Sequence, residues 1–170
     1  MRPSAPILAL LASVALVSCT KKAPKELPPG PGGAGDVVNP DGFANTGAPV
    51  PGSQADFVAS VTSDTVYFGT DRADIDGEDA ATLRSQAQWL ARYPGTRITI
   101  EGHCDERGTR DYNLALGERR ATAAKTYLVG VGVDPGRIAT VSYGKERPLA
   151  LGSDEASWAR NRRAVTVTVQ

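Results

Sequence analysis

The stretch GHCDERG, residues 102 to 108, collects three kinds of reactive side chain within four positions. His103 is the only histidine of the chain, Cys104 is one of its two cysteines, and Asp105 and Glu106 follow directly. Imidazole, thiolate and carboxylate are zinc ligands, and a thiol beside an imidazole is the pair that a cysteine nucleophile needs. A metal site or a thiol active site is therefore the first hypothesis for this stretch.

Both hypotheses require groups that the sequence does not supply. A zinc site needs three or four converging ligands, and the sequence has no second histidine and only one other cysteine, Cys19. Consecutive side chains at a strand end point to opposite faces, so His103 is not expected to reach Cys104. We therefore expect no metal, no cofactor and no catalysis here, with His103 as a packed or loop-orienting residue.

Alternating and helical patterns along the chain indicate what positions the stretch. Four segments have β-strand character, three have helical periodicity, and the two kinds alternate as β-α-β-α-β-α-β. The fold class predicted is α/β, a two-layer sandwich with helices packed on a sheet that is mixed because the last connection is short. The predicted strands are 65–68, 97–101, 138–143 and 164–169, and the predicted helices are 78–92, 110–131 and 154–159.

The second predicted helix directs one charged side chain toward the core. At 100° per residue, Arg120 lies in the apolar arc nearly in line with Asn113, whereas Arg119 lies on the solvated side. A buried guanidinium requires an anion. Asp71 and Asp105 each follow a strand, and if those strands are parallel neighbours, both carboxylates emerge at the edge of the sheet where ligands bind.

Two interpretations of Arg120 stay open at this point. In the first, Arg120 forms an internal ion pair with Asp105 or Asp71 that only closes the domain. In the second, the aspartate and the arginine serve a zwitterionic ligand separately. The aspartate takes its ammonium, and the guanidinium takes its carboxylate in a forked contact.

The first nineteen residues predict export and a lipid anchor. One positive charge at Arg2 precedes an apolar run over 5–17, which is too short to span a bilayer and is typical of a signal peptide. The run ends in Leu-Val-Ser-Cys, which resembles a bacterial lipobox with Cys19 as the acylated residue. A plain signal peptide is the alternative. If Cys19 carries lipid, Cys104 has no disulfide partner.

A Pro- and Gly-rich segment follows the proposed anchor. Residues 24–52 contain seven prolines and seven glycines without a periodic apolar pattern, which predicts a flexible linker. The domain prediction is therefore a signal peptide over 1–18, a lipidated cysteine and linker over 19–61, and one folded domain over 62–170. Nineteen basic and nineteen acidic residues cancel, so nothing in the charge favours nucleic acid as a partner.

Four motifs together resemble the family of OmpA-like C-terminal domains, in its lipid-anchored members. They are YFGTD (67–71), EGHCDERGTRDYNLALGERRA (101–121), VSYGKERP (141–148) and NRRAV (161–165). The similarity extends over about 62–170. It implies an OmpA-like sandwich on the periplasmic face of the outer membrane, anchored through a lipid, which binds peptidoglycan non-covalently at the diaminopimelate of the stem peptide.

The resemblance also implies roles for individual residues. Asp105 would hold the ammonium of diaminopimelate and Arg120 its carboxylate. The other residues that the motifs assign to the site are Asn113, Leu116, Thr70, Asp71 and Arg162. Cys104 stands where relatives have a small residue, and Thr70 stands where they have a bulkier apolar one.

The partners implied by the resemblance are the periplasmic propeller protein TolB and the inner-membrane Tol proteins, which act in envelope integrity and in invagination of the outer membrane during cell division. The alternative function is an envelope hydrolase that acts on peptidoglycan.

Overall fold

A computed structural model describes residues 48–169, which form a four-stranded sheet with helices packed on it. The predicted order β-α-β-α-β-α-β is confirmed, with one additional α-helix in front of it and a short 3-10 helix, Pro135–Arg137, before the third strand. The core lies between the sheet and the helices, where Ile98 and Ile100 of the sheet pack with Leu83 and Leu128. The elements are α1 Gln54–Ser60, β1 Thr65–Tyr67, α2 Gly77–Arg92, β2 Arg97–His103, α3 Arg110–Gly130, β3 Ile138–Gly144, α4 Glu155–Asn161 and β4 Arg163–Val169.

The sheet is mixed, as the short last connection predicts. Its strand order is β1-β4-β2-β3, with β2 and β3 parallel and β4 antiparallel to both β1 and β2. The condition considered for Asp71 and Asp105, that β1 and β2 are parallel neighbours, is met only in part, because β4 lies between them. Two successive antiparallel pairings nevertheless leave β1 and β2 running in the same direction, so the loops after both strands leave the same edge of the sheet.

Side-chain caps fix where the two long helices begin. Asp76 accepts from the backbone N–H groups of Glu78 and Asp79 at 2.9 Å at the start of α2. Thr109 accepts from the N–H of Tyr112 at 3.3 Å at the start of α3. Such caps satisfy N–H groups that have no partner within the helix. Among the described helices, none is long and apolar enough to cross a membrane.

The additional helix α1 corrects the predicted domain boundary. Residues 54–60 fall in the segment expected to be linker, yet Phe57 is fully buried in the core. Its ring meets that of Trp89 edge to face, with 4.9 Å between centroids. A boundary at residue 62 therefore lies too late, because it removes a side chain that fills the core beneath α2.

Two glycines let α3 approach β2 at backbone distance. A Cβ on Gly102 would lie 1.9 Å from the carbonyl oxygen of Gly117, and a Cβ on Gly117 would lie 2.3 Å from Oγ of Ser142. No larger residue fits at either position without moving the helix. This contact sets the height of α3 above the sheet, and with it the position of Arg120 one turn later.

Candidate functional site

A cavity of about 260 Å³ opens at the sheet edge where β1 and β2 end and α3 begins. Six of the seven residues that the sequence assigns to a binding site line it, and Arg162 is the exception. The lining residues are Thr70, Asp71, Cys104, Asp105, Arg107, Gly108, Tyr112, Asn113, Leu116 and Arg120.

Arg120 lies at the inner wall of the cavity and is 0% exposed, as the helical periodicity predicts. Its Nε, Nη1 and Nη2 atoms donate to the backbone carbonyls of Arg72 (2.9 Å), His103 (2.8 Å) and Gly69 (3.0 Å). Nη1 also lies 3.3 Å from Sγ of Cys104. Burial lowers the pKa of Arg120, although a guanidinium keeps its proton in proteins. Arg120 therefore ties the loop after β1 to the end of β2.

The internal ion pair considered for Arg120 is not formed. Within residues 48–169, no carboxylate oxygen lies within 4.0 Å of its guanidinium. Carbonyl oxygens carry only partial negative charge, so the cation keeps an unmet demand for an anion. The hydrogen bonds with carbonyl and sulfur occupy four of the five N–H donors of a guanidinium. One N–H is left for a ligand, so the expected forked contact is not available in this arrangement.

Asp105 is paired with two arginines other than Arg120. Its carboxylate receives Nε and Nη2 of Arg107 at 3.1 and 2.7 Å, and Nη1 of Arg162 lies 3.5 Å away. Burial alone would raise the pKa of Asp105, but the hydrogen bonds and charge of Arg107, with Arg162 adding to them, leave that pKa below its usual range. Asp105 is therefore an ionised carboxylate.

Arg162 supports the site from behind the cavity. Its Nε donates to the carbonyl of Phe68 at 3.0 Å and its Nη2 to Oε1 of Glu155 at 2.7 Å. Arg162, which the motifs assign to the site, does not line the cavity. It lies 3.5 Å from the carboxylate of Asp105 and contacts that residue and the end of β1.

Asp71 supplies a second carboxylate at the opposite rim. It is the only described non-glycine residue with positive φ, at 56°. Such a conformation costs free energy and is tolerated best by Asp and Asn. Tyr112 Oη donates to its Oδ1 at 3.2 Å. The carboxylate of Asp71 is therefore held at the wall of the cavity by a residue of the first turn of α3.

Asn113 and Leu116 complete the wall formed by α3. The side-chain amide of Asn113 donates to the carbonyls of Arg107 and Thr109, at 2.7 and 3.1 Å, and so fixes the loop that carries Asp105. Leu116 is 3% exposed and provides apolar surface. Both lie on the inward arc of α3, where the 3.6-residue periodicity predicts them.

Sequence reasoning missed Arg107 and Tyr112. Arg107 follows Asp105 by two residues in a loop, where no periodicity tells which way a side chain points. Tyr112 is 44% exposed and lies at the edge of the apolar arc of α3. The only sequence signal for either residue is its place inside the long motif over 101–121.

The metal and thiol hypotheses find no support in the geometry. Sγ of Cys104 donates to the carbonyl of Asn113 at 3.3 Å, and burial raises the pKa of the Cys104 thiol. Both ring nitrogens of His103 are buried and have no hydrogen-bond partner in the described part of the chain. No group of three or more metal-ligating side chains converges in residues 48–169. Within these residues, Sγ of Cys104 contacts Asn113 and Arg120 and forms no hydrogen bond with the ring of His103.

Comparison with known proteins identifies the family to which this chain is similar. The OmpA family matches residues 67–162. The peptidoglycan-associated lipoprotein of Rhizobium meliloti (strain 1021) is 50% identical over 161 residues, which cover 95% of this chain and 85% of that protein. That of Brucella suis biovar 1 (strain 1330) is 48% identical over 160 residues, which cover 94% and 89%.

A solved structure extends the similarity to the fold. The crystal structure of the peptidoglycan-associated lipoprotein from Burkholderia pseudomallei has a TM-score of 0.63 and 44% sequence identity to this chain, and the match covers 67% of this chain and 100% of that one. The predicted OmpA-like sandwich is therefore confirmed.

Proposed function

This chain belongs to the OmpA family, and we propose that it binds peptidoglycan non-covalently through the cavity at the start of α3. The ligand is the free end of the diaminopimelate side chain in the stem peptide, which carries one ammonium and one carboxylate. Asp105 holds the ammonium and Arg120 the carboxylate. Asn113, Leu116, Thr70 and Asp71 shape the cavity around the chain between them.

One observation carries the proposal. Arg120 is a fully buried cation at the wall of an open cavity, and its partners in the described part of the chain are carbonyl oxygens and a sulfur atom. A ligand carboxylate supplies the full negative charge that these partners lack. The acidic residues Asp105 and Asp71 line the same cavity and suit the ammonium at the other end of a zwitterion.

The anchor and the partners complete the proposal. Acylation of Cys19 holds the protein on the periplasmic face of the outer membrane, and peptidoglycan binding then ties that membrane to the cell wall. Cys19 and the predicted linker before residue 48 lie outside the described residues. Coupling to TolB and the inner-membrane Tol proteins in cell division follows from the family resemblance, and the relatives named peptidoglycan-associated lipoproteins are consistent with it.

We propose a binding protein rather than a hydrolase. The raised pKa of the Cys104 thiol makes it a poor nucleophile, because the thiolate is the reactive form. Asp105 lies close to two guanidinium groups that lower its pKa, whereas a general acid at neutral pH requires a raised one.

Co-sedimentation with purified sacculi tests the function. We expect the full chain, held in detergent, to pellet with sacculi and to release no soluble peptide from them. Asp105→Asn and Arg120→Met should each lose about 2 to 5 kcal/mol of binding free energy, roughly thirty- to several-thousandfold in affinity, because each leaves one ligand charge unpaired.

Arg119→Met is the matched control for Arg120→Met. Arg119 is the adjacent arginine of α3, but it is exposed and does not line the cavity. Removal of its charge should leave sedimentation unchanged. Release of soluble muropeptides would support the hydrolase instead, and full binding by both Asp105→Asn and Arg120→Met would show that the ligand lies elsewhere.

A further inference from the structure

The carboxylate of Asp105, which is proposed to bind the ligand ammonium, already pairs with the guanidinium of Arg107. Arg107 bonds Asp105 through two side-chain nitrogens, with Nε 3.1 Å from Oδ1 and Nη2 2.7 Å from Oδ2. Its backbone N–H adds a third contact to Oδ1 at 3.1 Å. Arg107 itself lines the cavity. Its guanidinium therefore takes the place that a ligand ammonium would need on Asp105.

Of the two arginines that contact Asp105, Arg107 is the more exposed. Its side chain is 40% exposed, whereas that of Arg162 is 8% exposed and is also held by Glu155 and the carbonyl of Phe68. Among the described residues, the guanidinium of Arg107 has one further hydrogen-bond acceptor, Oγ1 of Thr70, at 3.5 Å. Arg107 can therefore leave Asp105 without uncovering a buried cation.

A second resting place for the guanidinium lies beside it. The guanidinium carbon of Arg107 lies 4.2 Å from the centroid of the Trp158 ring, a cation–π distance. Asp105, followed by Glu155 and Asp71, raises the pKa of Arg107, so two further carboxylates act on this cation. Glu155 already accepts from Nη2 of Arg162, so the ring of Trp158 is the contact that a displaced Arg107 keeps, with Glu155 as a nearby negative charge.

We propose that Arg107 is an internal competitor that occupies Asp105 in the free protein and is displaced by the ligand ammonium. This inference rests on the proposed function. The exchange conserves charge at Asp105, since one cation replaces another, and no covalent bond changes. Its consequence is selectivity: a ligand without a free ammonium has nothing to exchange for Arg107 and meets an occupied carboxylate.

Isothermal titration with a soluble probe tests the exchange. The probe is the tripeptide L-Ala-D-Glu-meso-diaminopimelate, titrated into the full chain in detergent. Arg107→Met removes the competitor and should tighten binding about fivefold, the strength of a half-exposed ion pair. Arg110→Met is the matched control, because Arg110 is an exposed arginine near the same rim that pairs with Glu146 instead. Its affinity should equal that of the parent.

The outcomes separate this inference from the proposed function. If the parent binds the tripeptide and Arg107→Met binds it equally well or more weakly, Arg107 is not a competitor, and the proposed function is unaffected. Absence of binding by both proteins would overturn the function, and the competitor with it.

A second measurement does not depend on the folding of a variant. The Nε–H group of Arg107 in the parent chain is followed by NMR as the tripeptide is added. We expect it to lose the hydrogen bond to Asp105 and to exchange faster with water at saturation. An Nε–H signal that is unchanged at saturating tripeptide would overturn the proposal.

Discussion

Arg120 and His103 are both buried, but they meet the cost of burial in different ways. Arg120 keeps its charge and surrounds it with carbonyl oxygens. His103 is 2% exposed, and burial lowers its pKa to about 4, with the charges of Arg163 and Arg147 adding to the effect. Its nearest carboxylate, Glu101, is 3.6 Å away and does not offset this. His103 is therefore neutral in the folded protein over the whole physiological range.

The lowered pKa of His103 predicts that stability depends on pH. The unfolded chain binds a proton at this residue near pH 6.5, and the folded chain does so only near pH 4. The contribution of neutral His103 to the free energy of unfolding is therefore fully present above pH 6.5. It is lost as the pH falls from 6.5 toward 4, and it does not change further below pH 4. Relative to His103→Phe, the parent should lose about 2 kcal/mol of unfolding free energy between pH 7 and 4.5.

Urea unfolding of the two proteins at both pH values measures this difference. His103 is the only histidine, so NMR titration of its ring gives the folded pKa directly. A measured pKa near 6.5, or parallel pH profiles for parent and variant, would contradict the assignment.

At the scale of elements, the contact between α3 and β2 decides whether the site forms. Arg120 lies three residues after Gly117, whose Cα side faces Ser142 of β3 and the carbonyl of Gly102. A helix held at this distance brings a guanidinium within hydrogen-bonding reach of the β2 end and of the loop after β1. The two glycines therefore contribute to the site although neither lines the cavity.

Gly117→Ala should lower both stability and binding. The added methyl would lie 2.3 Å from Oγ of Ser142 and 2.9 Å from the oxygen of Gly102, so α3 must move outward. We expect a loss of about 1 to 3 kcal/mol in unfolding free energy, typical of overpacking, and weaker sedimentation with sacculi because Arg120 moves with the helix. Urea unfolding and the sacculus assay measure the two effects.

Gly130→Ala is the control for this prediction. It lies in the same helix, and a methyl group added there would meet no atom of residues 48–169 within 4 Å apart from the nearby backbone of its own helix. Its stability should rise by up to about 1 kcal/mol through helix propensity, with binding unchanged. If Gly117→Ala is as stable as Gly130→Ala, the close approach does not constrain the helix.

At the scale of the whole molecule, the packed domain begins before the first strand. Besides the burial of Phe57, Oδ2 of Asp56 accepts from Nε1 of Trp89 at 3.1 Å, and Oε1 of Gln54 accepts from the N–H of Thr168 at 2.7 Å. These contacts join α1 to α2 and to β4. A helix of seven residues is not stable alone, so these contacts maintain it.

A fragment over 62–170 should therefore be less stable than one over 48–170. The shorter fragment lacks Phe57, so the space that its ring fills beside Trp89 is empty. Its free energy of unfolding should be lower by about 3 to 5 kcal/mol, the usual cost of removing a buried phenylalanine. Thermal and urea unfolding compare the two fragments.

Point variants in the longer fragment separate packing from length. Phe57→Ala should reproduce most of the loss, and Val58→Ala, at a position 48% exposed, should change stability little. Equal stability of the two fragments would mean that α1 contributes nothing to the core.

Much of this architecture is predictable from the chain because its signals are local. Period-two and period-3.6 patterns locate four strands and three helices, and the caps and turn residues bound them. The inward direction of Arg120 follows from its angle on α3 relative to Asn113. Placement of Asp71 and Asp105 at one edge of the sheet follows from their positions after strand ends. The two strands are not neighbours, but strands that run in the same direction end at the same edge.

The sequence by itself determines which side chains face inward and which residues follow a strand, because both depend only on the helix and strand periods along the chain. Only the folded chain shows which groups meet. Arg120 lies on carbonyl oxygens instead of a carboxylate, Arg107 lies on the carboxylate of Asp105, and α1 packs on Trp89. Such pairings depend on distances between segments far apart in the chain, and on loop side chains that no periodicity orients.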